Sequence, residues 1–155
     1  MSLDKASIEK IDASKYKFAV VASRYNESLV DALVADVNKV FAENSVDEAN
    51  VKLVRVAGAN ELPVVASELA KNGDYDAIIA LGVVIQGDTM HHETIASSTA
   101  FAFQEIAVKR RVPIINGVIV TPDLARAQAR TIGSIARGVE FAEVAIDMAH
   151  TMENL

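Results

Sequence analysis

The sequence predicts an α/β domain built on a parallel sheet. Three observations lead there: four short apolar runs, a segment of helical period after each run, and a polar or glycine-containing turn between run and helix. Strand–helix alternation repeated four times points to crossover connections and a sheet covered by helices on both faces.

The elements follow in chain order. Phe18-Ala19-Val20-Val21-Ala22 is an uninterrupted apolar run, as suits a strand buried on both faces. Arg24 to Ser28 is a polar turn, after which Leu29, Val30, Leu33, Val34, Val37, Val40 and Phe41 trace one stripe of a helix. Val51–Val56 is the second strand and residues 57–60 the turn after it. Glu61-Leu62-Pro63 opens a helix to about Lys71, with Pro63 tolerated in the first turn and Asn72-Gly73 as the stop. Ala77–Leu81 is the third strand, and Gly87-Asp88-Thr89 leads into a long helix over about 90–109. Pro113–Val120 is the fourth strand. Thr121-Pro122-Asp123 reads as a helix start, with Thr121 as acceptor for exposed amides, Pro122 lacking an N–H, and Asp123 at the positive dipole end. One or two helices then run to about Met152, with Gly133 and Gly138 as markers of a break. Residues 1–15 are polar and read as a flexible arm or an edge strand, and residues 16–155 as a single domain.

Composition narrows the function. With 155 residues, 51% of them hydrophobic and 23% charged, the chain is long and apolar enough for one packed core. The absence of Cys excludes disulfides, thiolate nucleophiles, cysteine zinc sites and iron–sulfur clusters. A net charge of −6 argues against a broad face for duplex nucleic acid, while leaving room for a local basic pocket. No apolar run approaches the roughly 20 residues of a membrane helix, and the polar start carries no signal-peptide pattern. The expectation is a cytoplasmic protein with neither membrane nor nucleic acid as partner.

In a parallel sheet, ligands bind beyond the C-terminal ends of the strands. Four segments are expected to meet there: Arg24–Asn26, Gly58–Glu61, Gly82–His92 and Asn116–Thr121. The third holds Gly87 and Thr89 at a helix start, which is either an anion cradle or an ordinary strand-to-helix turn. His91, in the first turn of that helix, is a proton carrier or a surface histidine. The pair His91-His92 lacks a third ligand at metal spacing. Tyr25 offers a stacking ring, or packs on its own helix. The Gly58–Glu61 turn could read a heterocycle through its amides and the Glu61 carboxylate, although helix capping would also account for Glu61. Arg126, Arg130 and Arg137 lie along the C-terminal helices, the first two on one face, where an arginine either closes an anion site or belongs to a solvated face. Jointly these groups suit an enzyme acting on a phosphorylated small molecule and a planar polar ring.

The segments SRYNE, AGANELP, YDAIIALGVVIQGDTMHH, VPIINGVIVTPD and ARGVE, in that order and spacing, resemble the 6,7-dimethyl-8-ribityllumazine synthase family over about Phe18 to Met148. Gly82-Val83-Val84-Ile85-Gln86-Gly87-Asp88-Thr89-Met90-His91 is the most specific stretch. The resemblance implies a flavodoxin-like four-stranded parallel sheet in a three-layer α/β/α arrangement. It implies a transferase of riboflavin biosynthesis that joins 5-amino-6-(D-ribitylamino)uracil to 3,4-dihydroxy-2-butanone 4-phosphate, with no cofactor and no metal. By the same resemblance Tyr25 stacks on the pyrimidine, Ala59, Asn60 and Glu61 hold the ring edge and ribityl chain, and the backbone of Val84 and Ile85 contacts the uracil. Gly87, Asp88, Thr89 and Met90 form the phosphate loop, His91 transfers protons, and Arg130 binds phosphate. Asn116, Arg130 and Arg137 would come from a neighbouring subunit of a homopentamer, alone or in a shell of twelve pentamers, with riboflavin synthase as a candidate partner. Asn60 and Asn116 stand where many members carry bulky apolar residues. The chain is one residue shorter than the common pattern between Arg130 and Gly138, so counting back from Gly138 puts Ala129 in place of Arg130. These departures motivate an alternative: a catalytically weak flavin- or lumazine-binding or shell-forming homologue.

Overall fold

The computed structural model describes residues 11–155. Its sheet has four parallel strands in the order β2-β1-β3-β4, where β1 is Phe18–Ser23, β2 Val51–Val56, β3 Ala77–Ile85 and β4 Ile114–Thr121. Helices α1 (Glu27–Glu43), α4 (Leu124–Thr131) and α5 (Arg137–Glu153) cover one face; α2 (Leu62–Asn72) and α3 (His91–Arg110) cover the other. This is the flavodoxin-like three-layer arrangement.

The apolar runs do what their composition demands. In β1 every residue is buried, with Phe18, Val20 and Ala22 turned to the α1/α5 layer and Ala19 and Val21 to the α2/α3 layer. β3 divides the same way, Ile79 and Leu81 opposite Ile78 and Ala80. The stripe predicted for α1 is its buried face, residue for residue. Phe41 from that stripe stacks on Phe18, ring centroids 4.5 Å apart.

Three expectations change. β3 extends to Ile85 rather than stopping at Leu81, because β4 pairs with it throughout, up to Ile85 opposite Thr121. The cap of α4 is Asp123, whose Oδ1 accepts from the Arg126 N–H at 2.8 Å; Thr121 instead donates its hydroxyl to the Asp123 carbonyl. The capping amide and the Arg126 guanidinium hold the Asp123 carboxyl below the usual carboxylate range. The break in the C-terminal helical region spans residues 132–136, and Gly138 lies inside α5. A Cβ at Gly138 would stand 2.6 Å from the Asp36 Cβ and 2.8 Å from the Leu33 carbonyl oxygen, so its glycine permits α5 to close on α1.

Residues 1–10 of the expected N-terminal arm lie outside the described residues. Of the remainder, Ala13 is buried and donates its N–H to the Asn44 carbonyl at 2.9 Å, and Lys15 pairs with Glu153 at 2.6 Å. Beside them the buried Tyr16 donates its hydroxyl to the Glu153 carboxylate at 2.6 Å and lies 3.1 Å from His150 Nδ1. Among the described residues no helix is long and apolar enough to cross a membrane.

Burial, then the Glu153 carboxylate, pushes the Tyr16 phenol from its ordinary 10.0 up to about 12. The folded state therefore keeps this proton where the unfolded chain loses it. The stabilisation is complete below pH 10.0 and is lost as the pH rises toward about 12. Tyr16→Phe is expected to flatten the fall in stability across that window, read from urea unfolding midpoints at a series of alkaline pH values.

Candidate active site

A cleft of about 310 Å³ opens above the C-terminal ends of β1, β2 and β3. Tyr25, Asn26, Gly58, Ala59, Asn60, Glu61, Val84, Ile85 and His91 are among the residues that line it. Three of the four expected loop segments thus converge.

Each wall has a local cause. The turn after β1 is tied to the end of β2: the Arg24 N–H reaches the Val56 carbonyl at 2.9 Å and the Tyr25 N–H reaches that of Ala57 at 3.1 Å. This leaves the Tyr25 ring 71% exposed at the mouth, available as a stacking face rather than sealed against its own helix. After β2 a single 3₁₀ turn, Ala59–Glu61, leads into α2. Glu61 does cap: its Oε2 accepts from the Gly58 N–H at 2.8 Å and so fixes the turn beneath Tyr25. A Cβ at Gly58 would stand 2.9 Å from the Tyr25 Cδ2, so only glycine lets the ring lie where it does.

The third wall is the end of β3. Pairing of β1 with β3 ends at Ala22 opposite Leu81, so Gly82 to Ile85 have lost a neighbour on that side. Gln86 donates its N–H to the Thr121 carbonyl at 2.9 Å, toward β4. Alternation along a strand then turns the peptide groups of Ile85 and Val83 toward the cleft. His91 opens α3 at the rim, with an exposed side chain. Gly87, Asp88, Thr89 and Met90 are exposed in the approach to this helix, where Met90 occupies the cap position and the first amides face outward. The adjacent His92 is turned inward, its Nδ1 3.1 Å from the Thr89 carbonyl oxygen.

The fourth segment departs from expectation. Asn116 pairs with Ala80 in the middle of the sheet, not at its C-terminal edge, because β4 continues five residues beyond it to Thr121. Asn116 lines a second cleft, of about 260 Å³, together with Arg130, Arg137 and Phe141. Ala129 is not part of that lining, and no residue is common to the two clefts. The Asn116 Oδ1 accepts from the Val118 N–H at 3.1 Å. Arg130 bonds the Arg126 carbonyl at 3.2 Å, and Arg137 pairs with Glu140 at 2.9 Å over the Phe141 ring. A single chain therefore carries an aromatic, histidine-bearing cleft and, apart from it, a cationic one.

Sequence reasoning passed over Asn26. Its signal was an asparagine between a strand end and a helix, a position where left-handed backbone is common.

Fold and clefts define a flavodoxin-like α/β protein with a cleft at the sheet's C-terminal edge. A family model described as 6,7-dimethyl-8-ribityllumazine synthase matches residues 15–153. Proteins of that name are similar over nearly their whole length. One from Polaromonas sp. JS666 is 37% identical over 152 residues, covering 98% of this chain and 97% of its own. One from Stenotrophomonas maltophilia K279a is 40% identical over 140 residues, covering 90% of each. One from Xanthomonas oryzae pv. oryzae PXO99A is 39% identical over 140 residues, covering 90% of this chain and 91% of its own. The chain belongs to the 6,7-dimethyl-8-ribityllumazine synthase family.

The Tyr25 platform gives a direct test. Gly58→Ala is expected to leave the thermal midpoint nearly unchanged and to weaken binding of a planar heterocycle by about one order of magnitude, measured by fluorescence titration with riboflavin as the probe.

Proposed function

We propose that this protein condenses 5-amino-6-(D-ribitylamino)uracil with 3,4-dihydroxy-2-butanone 4-phosphate to give 6,7-dimethyl-8-ribityllumazine, releasing phosphate and water. The observation that carries the reading is His91 at the rim of the cleft that also holds Tyr25, Glu61 and the open end of β3, in a chain of this family.

The residues divide the work. Tyr25 takes the pyrimidine face, while the β3 edge at Val84 and Ile85, where the Ile85 peptide groups face the cleft, takes its carbonyl and N–H edge. Ala59, Asn60 and Glu61 take the ring edge and ribityl chain. The amine attacks the ketone and loses water to form an imine; phosphate leaves; the ring closes with loss of a second water. Each of these steps moves a proton, and an imidazole serves that purpose near neutral pH. Gly87 to Met90 at the start of α3 hold the phosphate, where amides and the helix dipole favour a dianion. Holding both substrates in register supplies a large part of the acceleration.

The separate cationic cleft supports an oligomeric site. Asn116, Arg130 and Arg137 of one subunit complete the cleft of the next, and Arg130 closes on the phosphate. The outer face of α3 favours the same reading: Phe101 is 74% exposed, Val108 is exposed along the same helix, and Met90 is exposed at its cap. A homopentamer is the assembly we infer, with residues 16–155 as its repeating domain.

Mixing the two substrates with the protein should produce the fluorescent lumazine; a folded oligomer that yields none at saturating concentration refutes the reaction. His91→Ala is expected to lower kcat by about 10²-fold with little change in either KM. Arg130→Ala should mainly raise KM for the phosphorylated ketone, in steady-state assays varying one substrate at a time; an unchanged value would show that Arg130 does not reach the phosphate.

A further inference from the structure

The turn that carries Tyr25 is held on two sides, and the second anchor has no role in the reaction as described so far. Asn26 occupies the cap position of α1 in a left-handed conformation, φ 55° and ψ 43°. An asparagine there would ordinarily turn its side chain onto the first amides of the helix. Asn26 makes no such bond, and its own carbonyl accepts from the Leu29 and Val30 N–H groups at 2.9 and 3.1 Å. Its side-chain amide instead donates to the Val83 carbonyl at 2.8 Å, joining positions 57 residues apart in sequence.

The acceptor is informative. Val83 lies beyond Leu81, where β1 has ceased to pair with β3, so its carbonyl faces a gap that no strand fills. Asn26 supplies the missing partner with a side chain. One residue before it stands the Tyr25 ring; one and two residues beyond Val83 stand Val84 and Ile85. One side-chain hydrogen bond thus ties the turn that carries the ring to that backbone edge, while the other side of the turn is fastened to Val56 and Ala57 of the β2 end.

Resting on the condensation proposed above, we infer that Asn26 is a positioning residue for the pyrimidine. Its amide fixes the Tyr25 face against the Val84–Ile85 edge, so that one planar ring can be stacked and read at its rim together. The ketone phosphate, bound through the start of α3 and a neighbouring arginine, does not depend on this bond.

Two variants test it, Asn26→Gly and Asn26→Asp. Both residues accept left-handed backbone, so the start of α1 is kept, and neither can donate to Val83. Steady-state kinetics on the assembled protein are expected to show KM for the aminouracil rising about ten-fold in both, the size of one net hydrogen bond, with KM for the phosphorylated ketone unchanged. In a Tyr25→Ala background, adding Asn26→Gly should bring no further rise, because the ring it positions is gone. An equal rise in both KM values, or an additive effect in the double variant, overturns the positioning role. So does wild-type behaviour of Asn26→Asp beside a defective Asn26→Gly, which would mean that the side-chain oxygen, not the amide bond to Val83, is what matters. Wild-type turnover is the control for the reaction itself: its absence refutes the condensation, whereas turnover with an unaltered aminouracil KM in both variants refutes only the role of Asn26.

Discussion

The site depends on the mismatch in length between β3 and β1. Because β4 follows β3 to its end while β1 stops at the level of Leu81, a stretch of β3 backbone stands with one edge unpaired. A buried or half-buried peptide group requires a partner. Here Asn26 satisfies Val83, and the groups beyond it are the ones that the proposed function assigns to a ligand presenting its own donors and acceptors in a plane. A cyclic imide has that pattern. Under the proposed function, recognition of the ring is a continuation of sheet pairing by other means.

Around that edge the protein places exposed polar and aromatic side chains. Tyr25, Asn60 and His91 are exposed and carry little of the core. Their positions come from rigid neighbours: backbone bonds from the Tyr25 turn to Ala57, the Glu61 cap on Gly58, and the first turn of α3. Loops carry the chemistry because strands and helices hold their ends in place. Arg130 and Arg137 sit in a different cleft because of where α4 and α5 pack: beside β4 on the α1 face, away from the mouth.

Much of the fold was legible because burial leaves a periodic trace. The α1 stripe is visible as seven apolar residues at helical spacing, and all seven are the buried residues of that helix. Val51–Val56 has the bounds read for it from the sequence. Legibility failed where a contact distant in sequence decided the outcome. The extension of β3 to Ile85 required β4 as a partner, and Gly138 read as a break because its real constraint, the approach of Leu33 and Asp36, belongs to another helix. The sequence offers Thr121 as the acceptor for the exposed amides and Asp123 as the dipole's partner, and the geometry at the end of β4 gave the capping role to Asp123.

The chain's own order of residues determined the alternation of strand and helix, the two-sided burial of the central strands, the exclusion of cysteine chemistry, and which side chains are candidates for chemical function. These are local matters of period, composition and residue type. Only the packed structure decided which of those side chains share a cleft, that Glu61 is held by Gly58, that Asn116 lies mid-strand with the arginines, and that Asn26 reaches across to Val83. Each of these is a meeting of groups far apart along the chain or dependent on backbone geometry, and pattern along one dimension carries no record of such distances.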